Sequence, residues 1–422
     1  MKIAIIGAGA TGLTAGYELC KGGHEVTVLE AADKLAGLTC VRSVGETDLE
    51  YIYHHIFTSD TYLTDLAEEL GLKMIWAEPS NGFYTDGKLY PFTSPMDLLR
   101  FKPLPFWARV SMGLMVLKSR YVKDFEALEN MTAGEWITKM AGAAVYEKVW
   151  KPLIYSKFDI DAENVAAVWI WNKFKLRGGT RGKGNAKEML GYMERSFGEL
   201  YKALAANLDV RLNCAVREIK RADDGVLVNG EKFDRVLFTG APALLAEICR
   251  EIDGEYLEKI RQLRYKANIC VTLQLKRPLS KFYWTTVADE RLPFVAAIEH
   301  TNIMDKELYG GENIVYLTRY LDSGDELYGA SDDEIVSKFC EGLAGMYEGF
   351  TAEDVTDAVV YRSLYSQPVV GLRYSEIIPE FATPVEGIYL SSMAQVYPED
   401  RGQNYAIRAG REISKLMMEG EA

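Results

Sequence analysis

Apolar runs of strand length alternate with amphipathic stretches from the first residues onward. Ile3-Ala4-Ile5-Ile6 is an unbroken apolar run, and Glu25-Val26-Thr27-Val28-Leu29 is a second. Between them, Leu13 to Lys21 reads as a helix that stops at Gly22-Gly23. Leu208 to Ile219 is predicted to be a strand, and Gly387-Ile388-Tyr389-Leu390-Ser391-Ser392 a buried one. Tyr405 to Met418 is predicted to be a helix. Residues 79–186 read as mostly helical, with a capping box at Thr132-Ala133-Gly134-Glu135. Residues 265–384 read as strands with one or two helices. Ala267 to Leu275 alternates in strand fashion, and Ser331-Asp332-Asp333-Glu334 opens a helix with acids in its first turn.

The first strand runs into Gly7-Ala8-Gly9-Ala10-Thr11-Gly12, a G-x-G-x-x-G turn between strand and helix. Gly7 permits the tight turn, Gly9 admits a pyrophosphate to the backbone, and Gly12 lets the helix approach the strand. Ala10 and Thr11 lie in this turn ahead of the helix, whose free N–H groups and positive dipole end face the phosphates. Glu30 ends the second strand, where a carboxylate holds both hydroxyls of an adenosine ribose and repels a 2′-phosphate. This favours FAD or NAD over NADP. No second fingerprint follows: Gly182-Lys183-Gly184 lacks a preceding strand, and Gly342 and Gly345 lie inside a helical pattern.

Composition narrows the classes. The 422 residues suggest two to three domains at about 150 residues each. Lys and Arg number 48 against 61 Asp and Glu, a formal charge of −13, so no nucleic-acid partner is expected. No apolar run reaches the ~18 residues of a membrane span, and no export signal fits before residue 2. Six scattered cysteines without a C-x-x-C pair, and four histidines, argue for no metal centre and a reduced, cytoplasmic setting. One stretch departs from the acidic background. Residues 97–123 carry Arg100, Lys102, Arg109, Lys118, Arg120 and Lys123 among Phe101, Phe106, Trp107, Leu114 and Met115. It reads as an ordinary helix pair with a basic rim, as a peripheral membrane contact at the inner face, or as a seat for a substrate diphosphate.

Beyond Glu30 the segment Ala31-Ala32-Asp33-Lys34-Leu35-Ala36-Gly37-Leu38-Thr39 resembles that of the FAD-dependent amine oxidase, protoporphyrinogen oxidase and phytoene desaturase superfamily. Glu50 to Asp60, Trp136 to Phe158, Leu190 to Leu200 and Asp234 to Pro242 resemble further superfamily segments in the same order. The resemblance implies an α/β fold. A Rossmann-like FAD-binding domain of glutathione-reductase type is formed by 1–78, 187–264 and 385–422. An inserted α+β substrate domain is formed by 79–186, its helical part, and 265–384, its mixed-sheet part. It further implies FAD contacts at Ala31, Gly37 and Leu38, at the Val216 backbone beside the adenine, and at Gly240. Met393 stands where the family commonly has an acid that meets the ribityl chain, and Ala36 where it has a second glycine. Gly402 and Asn404 precede the C-terminal helix, whose N-terminal N–H groups are aimed at the flavin N1–C2=O edge.

Catalytic candidates are few. His54 and His55 follow a tyrosine-rich stretch; on a strand only one faces the ring, and His55 is favoured. Glu299-His300-Thr301-Asn302 ends an apolar run, where Glu299 and His300 are expected on a site rim, His300 as a general acid or base. The resemblance implies an oxidoreductase that passes a hydride from a small-molecule substrate, apolar or diphosphate-bearing, to flavin N5. An alternative rests on Tyr53-His54-His55-Ile56-Phe57-Thr58, which also resembles the flavin-proximal motif of UDP-galactopyranose mutase. That motif implies nucleotide-sugar chemistry without net redox. A flavin-binding protein with a decayed site is the third reading.

Overall fold

The computed structural model describes residues 1–122, 125–179 and 188–419. Lys123, the Gly182-Lys183-Gly184 stretch and the expected 186/187 boundary lie outside the described residues. The first apolar run forms β1 (Lys2–Ile6), followed by α1 (Ala10–Lys21) and β2 (Glu25–Leu29). Ile3, Ala4 and Ile5 are wholly buried on both faces, which is why the run does not alternate. Three later segments join these strands in one parallel sheet. Its order is Asp209–Arg211, β2, β1, Arg235–Phe238 and Ile388–Leu390. The fold is therefore Rossmann-like.

A second sheet has seven strands. In order they are Val355–Pro368, Tyr265–Leu275, Asn313–Leu321, Ala296–Glu299, Trp284–Val287, Asn81–Thr85 and Lys88–Pro91. Along Tyr265–Leu275 the alternation sorts two cores. Ile269, Val271 and Leu273 pack with Ile335, Phe339 and Leu343 of helix Asp332–Met346, while Cys270 faces the core beneath the parallel sheet. The capping boxes at Thr132 and Ser331 both form. Helices Pro95–Arg100, Phe106–Ser119, Ala133–Ala141, Lys151–Phe158 and Ala167–Gly179 build a third core around Trp136, Phe158 and Trp171.

Three local expectations change. The strand expected over Leu208 to Ile219 is only Asp209–Arg211, because Asn213 turns into the left-handed region at φ 54°. The chain then runs beside the end of β2, with Asn213 N–H donating to Ala32 O and Cys214 N–H to Glu30 O. Within 79–186, residues 81–91 form a hairpin on the second sheet, turned by Asp86 and Gly87 at φ 53° and 70°. Asp-Gly is a strong hairpin signal, since both residues accept positive φ. Tyr51 to His55 is irregular; the strand there is only Ile56–Phe57, so strict alternation does not govern His54 and His55.

The C-terminal helix Gln403–Glu419 lies against α1, and Gly410 is the point of closest approach. A Cβ there would fall 2.7 Å from Thr11 O and 2.8 Å from Thr14 Cβ. Helix propensity alone predicts that Gly410→Ala stabilises by about 1 kcal/mol. The packing predicts the opposite sign, with Gly410→Val losing about 1–3 kcal/mol. Urea unfolding of the two variants checks this, and a stabilised alanine variant would refute the close contact.

Candidate active site

The register aligns the carboxyl ends of four parallel strands. Ile6 lies opposite Leu29 and Phe238, and Phe238 opposite Leu390. Gly7, Glu30, Thr239 and Ser391 therefore leave the sheet along one edge, beside the point where strand order reverses, where open α/β sheets bind their ligands. Gly7 turns at φ 108°, and a Cβ on it would meet Thr239 Oγ1 at 2.6 Å. A Cβ on Gly12 would lie 2.0 Å from Gly7 O, so α1 can sit this close only with glycine. Gly9 differs, since no atom lies within 4 Å of where its Cβ would be. It faces a cradle floored by backbone, with α1 starting at Ala10 and Thr11 and no side chain capping the helix.

Across the cradle, Gly37 turns at φ 53° with its Cβ position 3.4 Å from Gly9 Cα. Ala36, in place of a glycine, takes the left-handed conformation at φ 78°, at a cost of about 1–2 kcal/mol. Burial and an N–H bond to Ala8 O at 2.8 Å hold it there. Leu38 follows in the short turn Gly37–Thr39. The Glu30 carboxylate accepts from Ala8 N–H and Ala32 N–H, both at 2.8 Å, which fixes it beside Ala31 with lone pairs left for a ribose. Val216 packs half-buried beside the end of β2, and Gly240 follows Thr239.

The edge continues to the C-terminal helix. Met393 begins a one-turn helix, Met393–Gln395, just after Ser391. Gly402 is exposed, and nothing lies within 4 Å of its Cβ position. The Asn404 side chain accepts from Leu63 N–H through Oδ1 at 3.1 Å, which fixes its orientation at the start of the helix. Two buried polar atoms, Ser391 Oγ and Gln403 Nε2, have no hydrogen-bond partner among the described residues. A backbone cradle, a fixed carboxylate and buried unpaired donors along one edge fit a dinucleotide that extends from Glu30 to Gln403.

Beyond this edge stands an aromatic wall. His55 Nδ1 lies 3.0 Å from Tyr283 Oη, with the Phe57 and Trp284 rings edge-on to the imidazole. His54 turns the other way, Nδ1 2.7 Å from Ile52 O, and burial pulls its pKa down to about 4. Tyr53 Oη meets Tyr320 Oη at 3.2 Å, and Arg401 donates to Tyr320 Oη and Gln367 Oε1 at 3.0 Å. Next to Arg401, Asp400 accepts from Trp169 Nε1 and pairs with Lys173 at 2.5 Å and Lys157 at 3.5 Å. Burial alone would raise the Asp400 carboxyl, but Lys157 and Lys173 overcome it and hold it well below the usual range.

Glu299 and His300 do not form a rim. Both are 2% exposed. The Glu299 carboxylate is consumed by Leu279 N–H, Ser280 N–H and Ser280 Oγ, closing the turn before Trp284–Val287. His300 lies among the rings of Tyr192, Tyr309 and Tyr316, with Nε2 2.8 Å from Tyr309 Oη, and burial pulls its pKa down to about 3. An apolar run that ends in polar residues signals a surface turn only when the chain exits there. Here it turns inward.

A family profile described as flavin containing amine oxidoreductase matches residues 10–417, nearly the whole chain. The protein belongs to this family. A zeta-carotene desaturase from Synechocystis sp. is 25% identical over 201 residues, 42% of this chain and 41% of that protein. The chain spans about half the length of the curated relatives it matches. A crystal structure from Exiguobacterium sp., provisionally assigned as a protoporphyrinogen oxidase, aligns with TM-score 0.78 at 19% identity over 99% of both chains. Reduced UDP-galactopyranose mutase aligns with TM-score 0.76 at 17% identity over 100% of this chain and 96% of that one. At these identities the structures speak to the fold. Lys157, Lys173, Tyr283, Trp284 and Gly410 had no sequence signal.

Two outcomes are expected. Gly9→Ala places a methyl group in the cradle with no protein atom beyond its chain neighbours within 4 Å, so unfolding is unchanged and nucleotide binding is lost. Retained nucleotide would show that the cradle is not the site. The second concerns Glu50, which is buried and bonded to Tyr192 Oη and Phe197 N–H. Burial pushes its carboxyl up to about 7 from 4.5. The protonated acid therefore favours the fold. Its contribution is complete below pH 4.5 and is lost as pH rises through 7. Glu50→Gln removes on the order of 3 kcal/mol of this pH dependence. Urea unfolding at a series of pH values from mildly acid to mildly alkaline checks it; parallel profiles for the two proteins would refute it.

Proposed function

We propose that the protein binds FAD along the carboxyl edge of the parallel sheet and oxidises a small-molecule substrate held against the aromatic wall. One observation carries this reading. The Gly7–Gly12 turn, Glu30, Ser391 and the start of the C-terminal helix lie along a single edge, with an open cradle at Gly9. Bound FAD would supply the acceptor for a hydride from substrate. Glu30 would hold the adenosine ribose, and the Ala10 and Thr11 N–H groups would meet the pyrophosphate. The N-terminus of Gln403–Glu419, with Gln403 Nε2, would offer donors and a positive dipole end to the flavin ring. His55, Tyr283 and Trp284 orient the substrate and exclude water, and His55 with Tyr283 can hold a proton at the imidazole Nδ1.

A second reading is favoured by the basic groups at the seam. Lys157 and Lys173 share Asp400, and the hydrogen bonds of Arg401 go to neutral Gln367 and Tyr320. This electrostatic setting suits a substrate that carries a diphosphate. Joined to the local likeness of His55-Ile56-Phe57 to UDP-galactopyranose mutase, it supports nucleotide-sugar turnover without net electron transfer.

The visible spectrum of the purified protein, with chromatography of the cofactor released by heat, tests the shared premise. Released FAD is the expected result. A colourless protein that takes up NAD but no FAD would sink both readings. Anaerobic bleaching of the flavin by an amine or polyene substrate then selects the first reading. Turnover of a nucleotide sugar only after chemical reduction, with the flavin left reduced, selects the second.

A further inference from the structure

Helix Phe106–Ser119 has apolar side chains on both of its faces. Met112, Met115 and Ser119 are buried, with Ser111 Oγ donating to Ala141 O and Trp171 Nε1 to Ser119 O. The opposite face carries Trp107, Val110, Leu114, Leu117 and, just past the helix, Tyr121. The spacing of three, four, three and four residues makes one continuous stripe. Trp107 is 77% exposed, Leu117 52% and Tyr121 83%. Met96 and Leu99 of the preceding helix Pro95–Arg100 are bare as well. Seven of the fifteen large apolar side chains exposed among the described residues fall between positions 96 and 121.

The charge beside this stripe is reversed from the rest of the protein. Arg100, Lys102, Lys118 and Arg120 are exposed in a chain of net charge −13. Asp97, the acid among them, is turned back onto Thr93 and Ser94. A second copy packed face to face across this patch would set the four basic groups against their equivalents, which disfavours self-association. An apolar stripe with Trp and Tyr at its ends and a basic border is the surface that seats at an anionic lipid–water interface.

We infer that the face formed by Pro95–Arg100 and Phe106–Tyr121 docks on an anionic phospholipid bilayer. The helix enters the headgroup region with its stripe down and its basic residues at the phosphates. One helix links the seat to the charged seam at Asp400: Trp171, which donates to Ser119 O, shares helix Ala167–Gly179 with Trp169 and Lys173.

Sedimentation of the full-length protein with phosphatidylcholine vesicles, plain or with about one third phosphatidylglycerol, tests this. The protein is expected to pellet with the mixed vesicles and to be released by salt. The Trp107→Ser, Leu117→Ser double variant is expected to bind at least tenfold more weakly. Reversal of Lys102, Lys118 and Arg120 to Glu is expected to cost roughly fivefold per residue on mixed vesicles. Circular dichroism confirms that each variant is folded. Protein left in the supernatant with both vesicle types overturns the inference. So does binding that the charge reversals do not weaken. Light scattering that shows a dimer lost in the Trp107→Ser, Leu117→Ser variant would assign the face to a second copy and also overturn it.

Discussion

The parallel pairing of β1 with Arg235–Phe238, and of that strand with Ile388–Leu390, is the constraint on which the site depends. It joins segments separated by more than 200 and about 150 residues of chain, so its closure entropy is large. What offsets that cost is burial on both faces of each strand. The return lies at the strand ends. Thr239 Oγ1 donates to Ile6 O at 3.0 Å and to Gly7 O at 3.1 Å, so a residue of the returning strand pins the tight turn of the first. Glu30 ties the end of β2 to Ala8 in the same way. The cradle at Gly9 is thus held from both sides by groups distant in sequence.

The second organising feature is charge at the seam between the helical cluster and the C-terminal segment. Lys157 and Lys173 come from two helices, and Asp400 and Arg401 from the approach to a third element. Burial pulls the Lys157 ammonium below its ordinary value, against the attraction of Asp400. Such groups cost desolvation energy that apolar side chains of the same volume would not, so stability alone does not account for them. The aromatic rings lower that cost. Lys173 Nζ lies 4.5 Å and Lys157 Nζ 5.1 Å from the centroid of the Trp169 ring, with Tyr320 on the far side of Lys157. The seam holds charge in a fixed geometry beside the proposed substrate wall, and a site for a polar ligand requires that.

The dinucleotide end of the site was legible because its chemistry is local. Gly7, Gly9, Gly12 and Glu30 lie within 24 residues, and each answers to backbone geometry that a linear pattern can encode. Of the proposed substrate wall only His55 was legible, because Tyr283, Trp284 and Arg401 join it only when two sheets and a helix are in place. Glu299 and His300 show the same limit from the other side. A polar end to an apolar run reads the same whether the next residues enter solvent or, as here, fold back under Tyr309. Ala36 teaches a different lesson. A glycine position in a pattern states a conformation, φ 78°, and an alanine that is buried and bonded can be held in it.

Helix Phe106–Ser119 joins these themes. Periodicity identifies which face of a helix is covered by contrast with a polar face, and this helix has little contrast. Its inner cover is visible in Met112, Met115 and the bond from Trp171. An outer stripe of the same polarity obeys the same physics: apolar area left in water costs free energy in proportion to its extent. Helices of globular proteins avoid that cost by turning a charged face outward. This one instead sets its charges at the border of the stripe, with Lys102 before it and Arg120 after it. Basic side chains in that position leave the apolar surface open while marking its edge. That arrangement has a physical advantage where the cover is a layer of lipid tails beneath a plane of phosphates.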